Sequence, residues 1–89
     1  MFKVTMKDLE DCFESAVDED CDYVAVKIQM QGFEKPDIII NQRENFQTKL
    51  AYYKKAYNDD LALKTFSGIK IVGFTFGDDW NEIECYLVD

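Results

Sequence analysis

The sequence predicts an α+β fold of two layers, an antiparallel four-stranded sheet with two helices on one face. The order is α-β-β-α-β-β. Three observations predict it. Apolar residues recur at helical spacing in two segments, Met6, Leu9, Phe13 and Ala16, then Phe46, Leu50, Tyr53 and Tyr57. Tyr23 to Gln31 alternates apolar and polar side chains, the pattern of a strand with one face in a core. The 89 residues suffice for one core, so residues 1–89 read as a single acidic α+β domain.

Each element has a local reason. Thr5 is a helix N-cap and Asp8 stands at the third helical position, a variant capping box that opens a helix over 6–17. Cys12 and Val17 run alongside its apolar stripe. Asp18-Glu19-Asp20-Cys21-Asp22 is a charged linker. In the first strand Val24, Val26, Ile28 and Met30 point one way and Tyr23, Ala25, Lys27, Gln29 and Gln31 the other. Gly32 to Pro36 turns the chain, and the β-branched run Asp37 to Asn41 pairs with the strand before it. A second helix spans 43–58, with Lys54 and Lys55 at the end where the helix dipole favours cations, and Asn58-Asp59-Asp60 stops it. Leu61 to Gly68 connects, with a brief extended piece at Leu61–Lys64. Ile69 to Phe76 is a third strand, with Ile69, Ile71 and Thr75 on one side and Val72, Phe74 and Phe76 on the other. Gly77 to Asn81 forms a hairpin loop, and Glu82 to Val88 returns as the fourth strand. Phe2–Val4 is available as a further strand, which would make the order ferredoxin-like with one strand extra.

The charge is segregated. Residues 1–22 hold eight acids against Lys3 and Lys7, a balance of −6, and residues 71–89 hold five acids and no Lys or Arg. Residues 23–70 carry +3, and the whole chain −8. Such a field attracts basic surfaces and repels nucleic acid and anionic lipid. No apolar run approaches the roughly 18–20 residues a bilayer span needs, and the first residues contain no signal-like apolar stretch. Cys12, Cys21 and Cys85 are scattered and odd in number, which fits reduced thiols in a cytoplasm.

Motifs that carry chemistry fail on inspection. Asp18, Asp20 and Asp22 copy the opening of a calcium loop, but Tyr23 and Gln29 stand where that loop needs Gly and a bidentate Glu. Gly77-Asp78-Asp79 resembles a polymerase metal turn without the further carboxylate that such a site requires. Phe74 and Phe76 resemble the stacking aromatics of an RNA-binding strand, yet the second signature strand is absent and the net charge opposes phosphate. There is no histidine, no nucleophile–base pair and no glycine-rich phosphate loop. The expectation is therefore a chain that is not an enzyme and takes neither metal nor cofactor. Trp80, the only tryptophan, lies between Asp78/Asp79 and Glu82; it reads equally as a contact residue and as a cover over the sheet edge.

The stretch Asn45 to Tyr57 together with Ile69 to Phe74 resembles small uncharacterised proteins of phages and prophages of Gram-positive bacteria. Compact acidic proteins from that source include anti-CRISPR proteins, some of which mimic DNA. The resemblance implies a phage-encoded inhibitor acting in the host cytoplasm. On this expectation the chain occupies a basic, nucleic-acid-binding surface of a host protein such as a CRISPR effector nuclease, with no direct contact to nucleic acid or membrane. The residues expected to bind the partner are Asp8, Asp11, Glu14, Asp18, Glu19, Asp20 and Asp22, with a second patch at Asp78, Asp79, Trp80 and Glu82. Two other accounts stand beside it. The acids serve only solubility, or the chain is a structural phage or prophage subunit or homodimer, which the two-sided hydrophobicity of Ile69–Phe76 suggests.

Overall fold

The structure is a computed structural model that describes residues 4–66, 68–81 and 83. Its elements are α1 (Met6–Asp18), β1 (Tyr23–Met30), β2 (Asp37–Gln42), a 3₁₀ turn at Arg43–Asn45, α2 (Phe46–Ala56) and β3 (Ile69–Gly77). The three strands form one antiparallel sheet in the order β2-β1-β3. Both helices pack on the sheet face that carries Val24, Val26 and Ile28, and the core joins those residues to Leu9, Phe13, Ala16, Phe46, Tyr53, Leu61 and Ile71.

The capping box forms as the sequence predicts. Thr5 Oγ1 accepts from Asp8 N at 3.3 Å, and Asp8 Oδ2 accepts from Thr5 N at 2.9 Å. The Met6 amide, otherwise an orphan of the first turn, donates to Asp59 O at 2.9 Å, so the loop after α2 anchors the start of α1. Phe46, Tyr53 and Tyr57 of the predicted second stripe are buried, with Leu50 packed beside them. The 43–58 helix is shorter than its pattern, however: 43–45 is 3₁₀ and Tyr57 already has extended backbone. Two polar groups in the core satisfy each other. Asn41 is 3% exposed, its Nδ2 donates to Val24 O at 3.1 Å, and its side chain meets Tyr53 Oη at 3.4–3.5 Å.

The connector between α2 and β3 holds two isolated bridges at the brief extended piece Leu61–Lys64: Leu63 with Tyr57 at the end of α2, and Ala62 with Lys70 of β3. Leu61 sits there with φ 69° and no exposed surface. The left-handed backbone costs about 1–2 kcal/mol, and burying a leucine returns about 1.5–3 kcal/mol, so packing holds the strained residue in place.

Two expectations about the sheet are corrected. The sheet has three strands among the described residues, not four. After Gly77 the chain begins a helical turn at Trp80 and Asn81: Asp79 Oδ1 accepts from Asn81 N at 2.8 Å, and Ile83 N donates to Asp79 O at 3.1 Å. An Asp after a Gly serves a hairpin or a helix cap equally well, and here it caps. Within the expected fourth strand Glu82 to Val88, the described residue Ile83 is helical; Glu82 and 84–88 lie outside the described residues. Of the further strand Phe2–Val4, Val4 carries no strand and the other two residues lie outside the described residues.

The second correction concerns β3. Its register on β1 shifts between Lys27, opposite Gly73, and Ile28, opposite Ile71, so Val72 is an extra residue, a β-bulge. A one-residue insertion flips every later side chain to the other face. Ile69, Ile71, Phe74 and Phe76 therefore all lie opposite the core-facing residues of β1, and Val72 is left 42% exposed. With the bulge, the apolar side chains of β3 lie on one face except Val72, so the two-sided hydrophobicity from which a homo-oligomer is expected reduces to that one residue. The opposite face of the sheet carries a smaller cluster in which Ala25 and Ile83 are buried, with Tyr23, Ile38 and Ile40 packed around them.

Candidate functional site

The chemistry of the surface concentrates at the C-terminal end of α1. The helix stops at Glu19 in a Schellman arrangement: Asp20 N donates to Val17 O at 3.1 Å and Cys21 N to Ala16 O at 2.8 Å. The position that must turn left-handed is Asp20, with φ 59°, where glycine is the usual residue. No basic residue stands in the last turn. Asp18, Glu19, Asp20 and Asp22 thus surround the end of a helix whose dipole is itself negative. The sheet brings a further acid to them. Asp22 N donates to Asp78 Oδ1 at 2.8 Å, a bond between residues 56 apart in the chain. Arg43 pairs with Asp20 across this pole, and the Arg43 amide donates to Asp22 O at 2.8 Å.

Cys21 reports the resulting field. It is buried and free, and its thiol is pushed upward by burial first and then by the charges of Asp78, Glu19, Asp22 and Asp20. Cys12, inside α1, is pushed up to about 12 by burial alone. Neither thiol has the electropositive setting that makes a cysteine reactive.

The expected partner-binding residues separate into groups. Asp18, Glu19, Asp20, Asp22 and Asp78 come together at the pole, and Asp79 and Trp80 follow directly on Asp78. Asp79 is spent on the helical turn. Trp80 is 50% exposed, with its ring edge-on to Tyr23 at 5.7 Å, so one side packs on the sheet and the other meets solvent. Asp8 and Asp11 are elsewhere. Asp8 closes the capping box at the far end of α1, and Asp11 lies 3.9 Å from Lys7 in an exposed pair. Glu82 lies outside the described residues. Glu14 is exposed one turn before Asp18, at the rim of a groove.

That groove was not legible in the sequence. It is open, about 340 Å³ in volume, and runs between α1 and α2. Phe13 and Phe46, packed edge to face at 5.4 Å, form its floor; Val17 and Leu50 form its apolar walls; and Glu14, Asp18 and Gln47 form its rim. Val17 is 52% exposed there. Its appearance beside the apolar stripe of α1, without belonging to it, was the available signal.

Among the described residues no three His, Cys, Asp or Glu side chains are placed to hold a metal ion, and no helix is long and apolar enough to cross a membrane. A scan against protein-family models, a search of the curated proteins and a search of the solved structures each give no match.

Proposed function

We propose that this chain is a non-enzymatic binding protein whose acidic pole (Asp18, Glu19, Asp20, Asp22 and Asp78, with Trp80 beside them) occupies a basic surface of another protein, of the kind that otherwise holds nucleic-acid phosphates. The supporting observation is where the acids sit. Carboxylates at a helix C-terminus oppose the dipole, at a cost of about 0.3–1 kcal/mol each at low salt. Acids that served only solubility could stand at any exposed position without that cost. A cationic partner cancels the repulsion on docking, so the strain in the free protein becomes affinity in the complex. Trp80 adds an aromatic surface near the charges, the composition of a contact hot spot.

In this reading the carboxylates stand where phosphates would, and association is steered by charge and weakened by salt. A CRISPR effector nuclease is the target class suggested by the resemblance to phage and prophage proteins, with inhibition as the outcome. The test uses a purified effector nuclease carrying fluorescent duplex DNA. The wild-type chain should displace the DNA and halt cleavage at low salt. The variant Asp18→Lys, Glu19→Lys, Asp20→Lys, Asp22→Lys should do neither. Equal displacement by both proteins would remove the pole from the mechanism, and no displacement by either would remove this target.

A further inference from the structure

We infer that the groove between α1 and α2 seats one amphipathic helix of the partner protein, with a basic edge turned toward Glu14 and Asp18. The inference rests on the acidic pole being a docking face and adds how the partner presents itself to it.

The groove has an apolar floor and two apolar walls, and its charge is on one side only. Glu14 and Asp18, four residues apart on α1, stand along one rim, whereas Gln47 on α2 is neutral. The other acid of this flank, Glu10, one turn before Glu14 on α1, is already paired with Lys54 at 2.7 Å. The near end opens toward the pole, because Asp18 belongs to both. Val17 on α1 and Leu50 on α2 both line it, apolar residues contributed by two helices, the kind of groove that takes the apolar face of an amphipathic helix. Phe13 and Val17 are one turn apart, about 6 Å along the axis, so the seat accepts two anchors at i and i+3 or i+4 with Lys or Arg flanking them on the α1 side.

The alternatives fit less well. A second copy of this chain brings −8 to −8 and sets acids against the same rim. The chain's own last residues, 84–89, carry Glu84 and Asp89 and no Lys or Arg. A basic amphipathic helix satisfies the walls and the rim together.

The test is fluorescence anisotropy with three labelled peptides of about 18 residues, roughly five helical turns. The first has a leucine stripe flanked by lysines; the second is its scramble; the third keeps the stripe and has glutamates for the lysines. The first should bind at least about tenfold tighter than either of the others. Val17→Glu, at an exposed position, should weaken the first about tenfold and leave the scramble unchanged, with the far-ultraviolet circular dichroism of the protein intact. If the stripe and its scramble bind equally and both fade with salt, the groove inference falls and the acidic pole stands. If no peptide binds, both fall. If the glutamate peptide binds as tightly as the lysine one, the basic edge is wrong. If sedimentation shows a dimer that Val17→Glu dissociates, the seat belongs to a second copy and the inference is overturned.

Discussion

The two ends of α1 obey opposite rules. At the N-terminal end every local preference is met: Thr5 and Asp8 cap each other, the acid sits where the dipole welcomes it, the Met6 amide finds Asp59 O, and Glu10 one turn on holds Lys54. At the C-terminal end the backbone is equally well satisfied, but the side chains oppose the dipole, with Arg43 pairing Asp20 from outside the helix. Asp20 occupies the left-handed position that glycine favours, and Asp18 and Glu19 flank it at the negative pole with no basic residue in the turn. A helix that only had to fold would be finished at both ends alike. The difference separates the anchor of α1, in its first half, from the contact surface proposed for its last turn.

The largest test of that division compares two apolar truncations on the same helix. Leu9 has no exposed surface, and Leu9→Ala should cost about 2–5 kcal/mol, a large share of the total stability of a domain this size. Val17→Ala, at 52% exposure, should stay within about 0.5 kcal/mol. Urea titration of both variants measures this. A cost at Val17 close to that at Leu9 would mean that the last turn is part of the anchor. Thr5→Ala comes next. It removes the cap oxygen at Asp8 N and should lower stability by about 1 kcal/mol, which is about 4–8 °C in melting temperature for a domain of 60–100 residues. An unchanged melting temperature would show that the Met6–Asp59 bond holds this end without the box.

At the other end the sign should reverse. Asp20→Gly frees a strained left-handed residue and removes one acid from the negative pole; what it gives up is the exposed pair with Arg43, worth about 0–1 kcal/mol. The net expectation is a gain of about 0.5–1 kcal/mol. Asp20→Asn separates the two causes, since Asn tolerates the same backbone and lacks the charge. If Asp20→Asn captures most of the gain, charge repulsion dominates; if only Gly does, backbone strain dominates. A loss of stability in both would show that Arg43 already neutralises this end and would erase the contrast.

What the sequence made legible were the features fixed within a few residues. The capping box, the first helical stripe and the alternation of β1 each depend on local spacing and appear where the spacing put them; the second stripe is buried too, but its helix ends at Ala56, before Tyr57. What it hid depends on partners. The Val72 bulge exists only in the register of β3 on β1, and it reverses the faces assigned to Phe74 and Phe76. The turn at Trp80 was hidden because Gly-Asp-Asp suits two local structures and the choice between them is not local. In the site, the acids of 18–22 were visible as a charge run, but their junction with Asp78 joins residues 56 apart in the chain, and Arg43 as their counterion follows from where β2 ends. Asp8 belongs to the same run of acids, and its nearness to Thr5 in sequence also commits its carboxylate to the cap.

The smallest expected effect concerns the boundary between the two halves, Glu10 with Lys54. The hydrogen bond from Lys54, then its charge, holds the Glu10 carboxyl below the ordinary value of 4.5, with a lesser contribution from Lys7. A carboxyl lowered in the folded state stabilises the fold above its unfolded value and loses that contribution as pH falls through the folded one. The pair should therefore be intact at neutral pH and fade only below about 4.5. Carboxyl carbon shifts followed by NMR through acid titration should place the Glu10 midpoint below that value, and Lys54→Met should move it up. Lys54→Met should also release Glu10, one turn before Glu14 on α1, without touching Glu14 or Asp18. An amphipathic basic peptide should then bind the variant at least as well as the wild type, because Glu10 has lost its cation and joins the acidic rim. Weaker binding would mean that Lys54 shapes the seat, and that the line between anchor and contact surface falls nearer the C-terminal turn than Glu10.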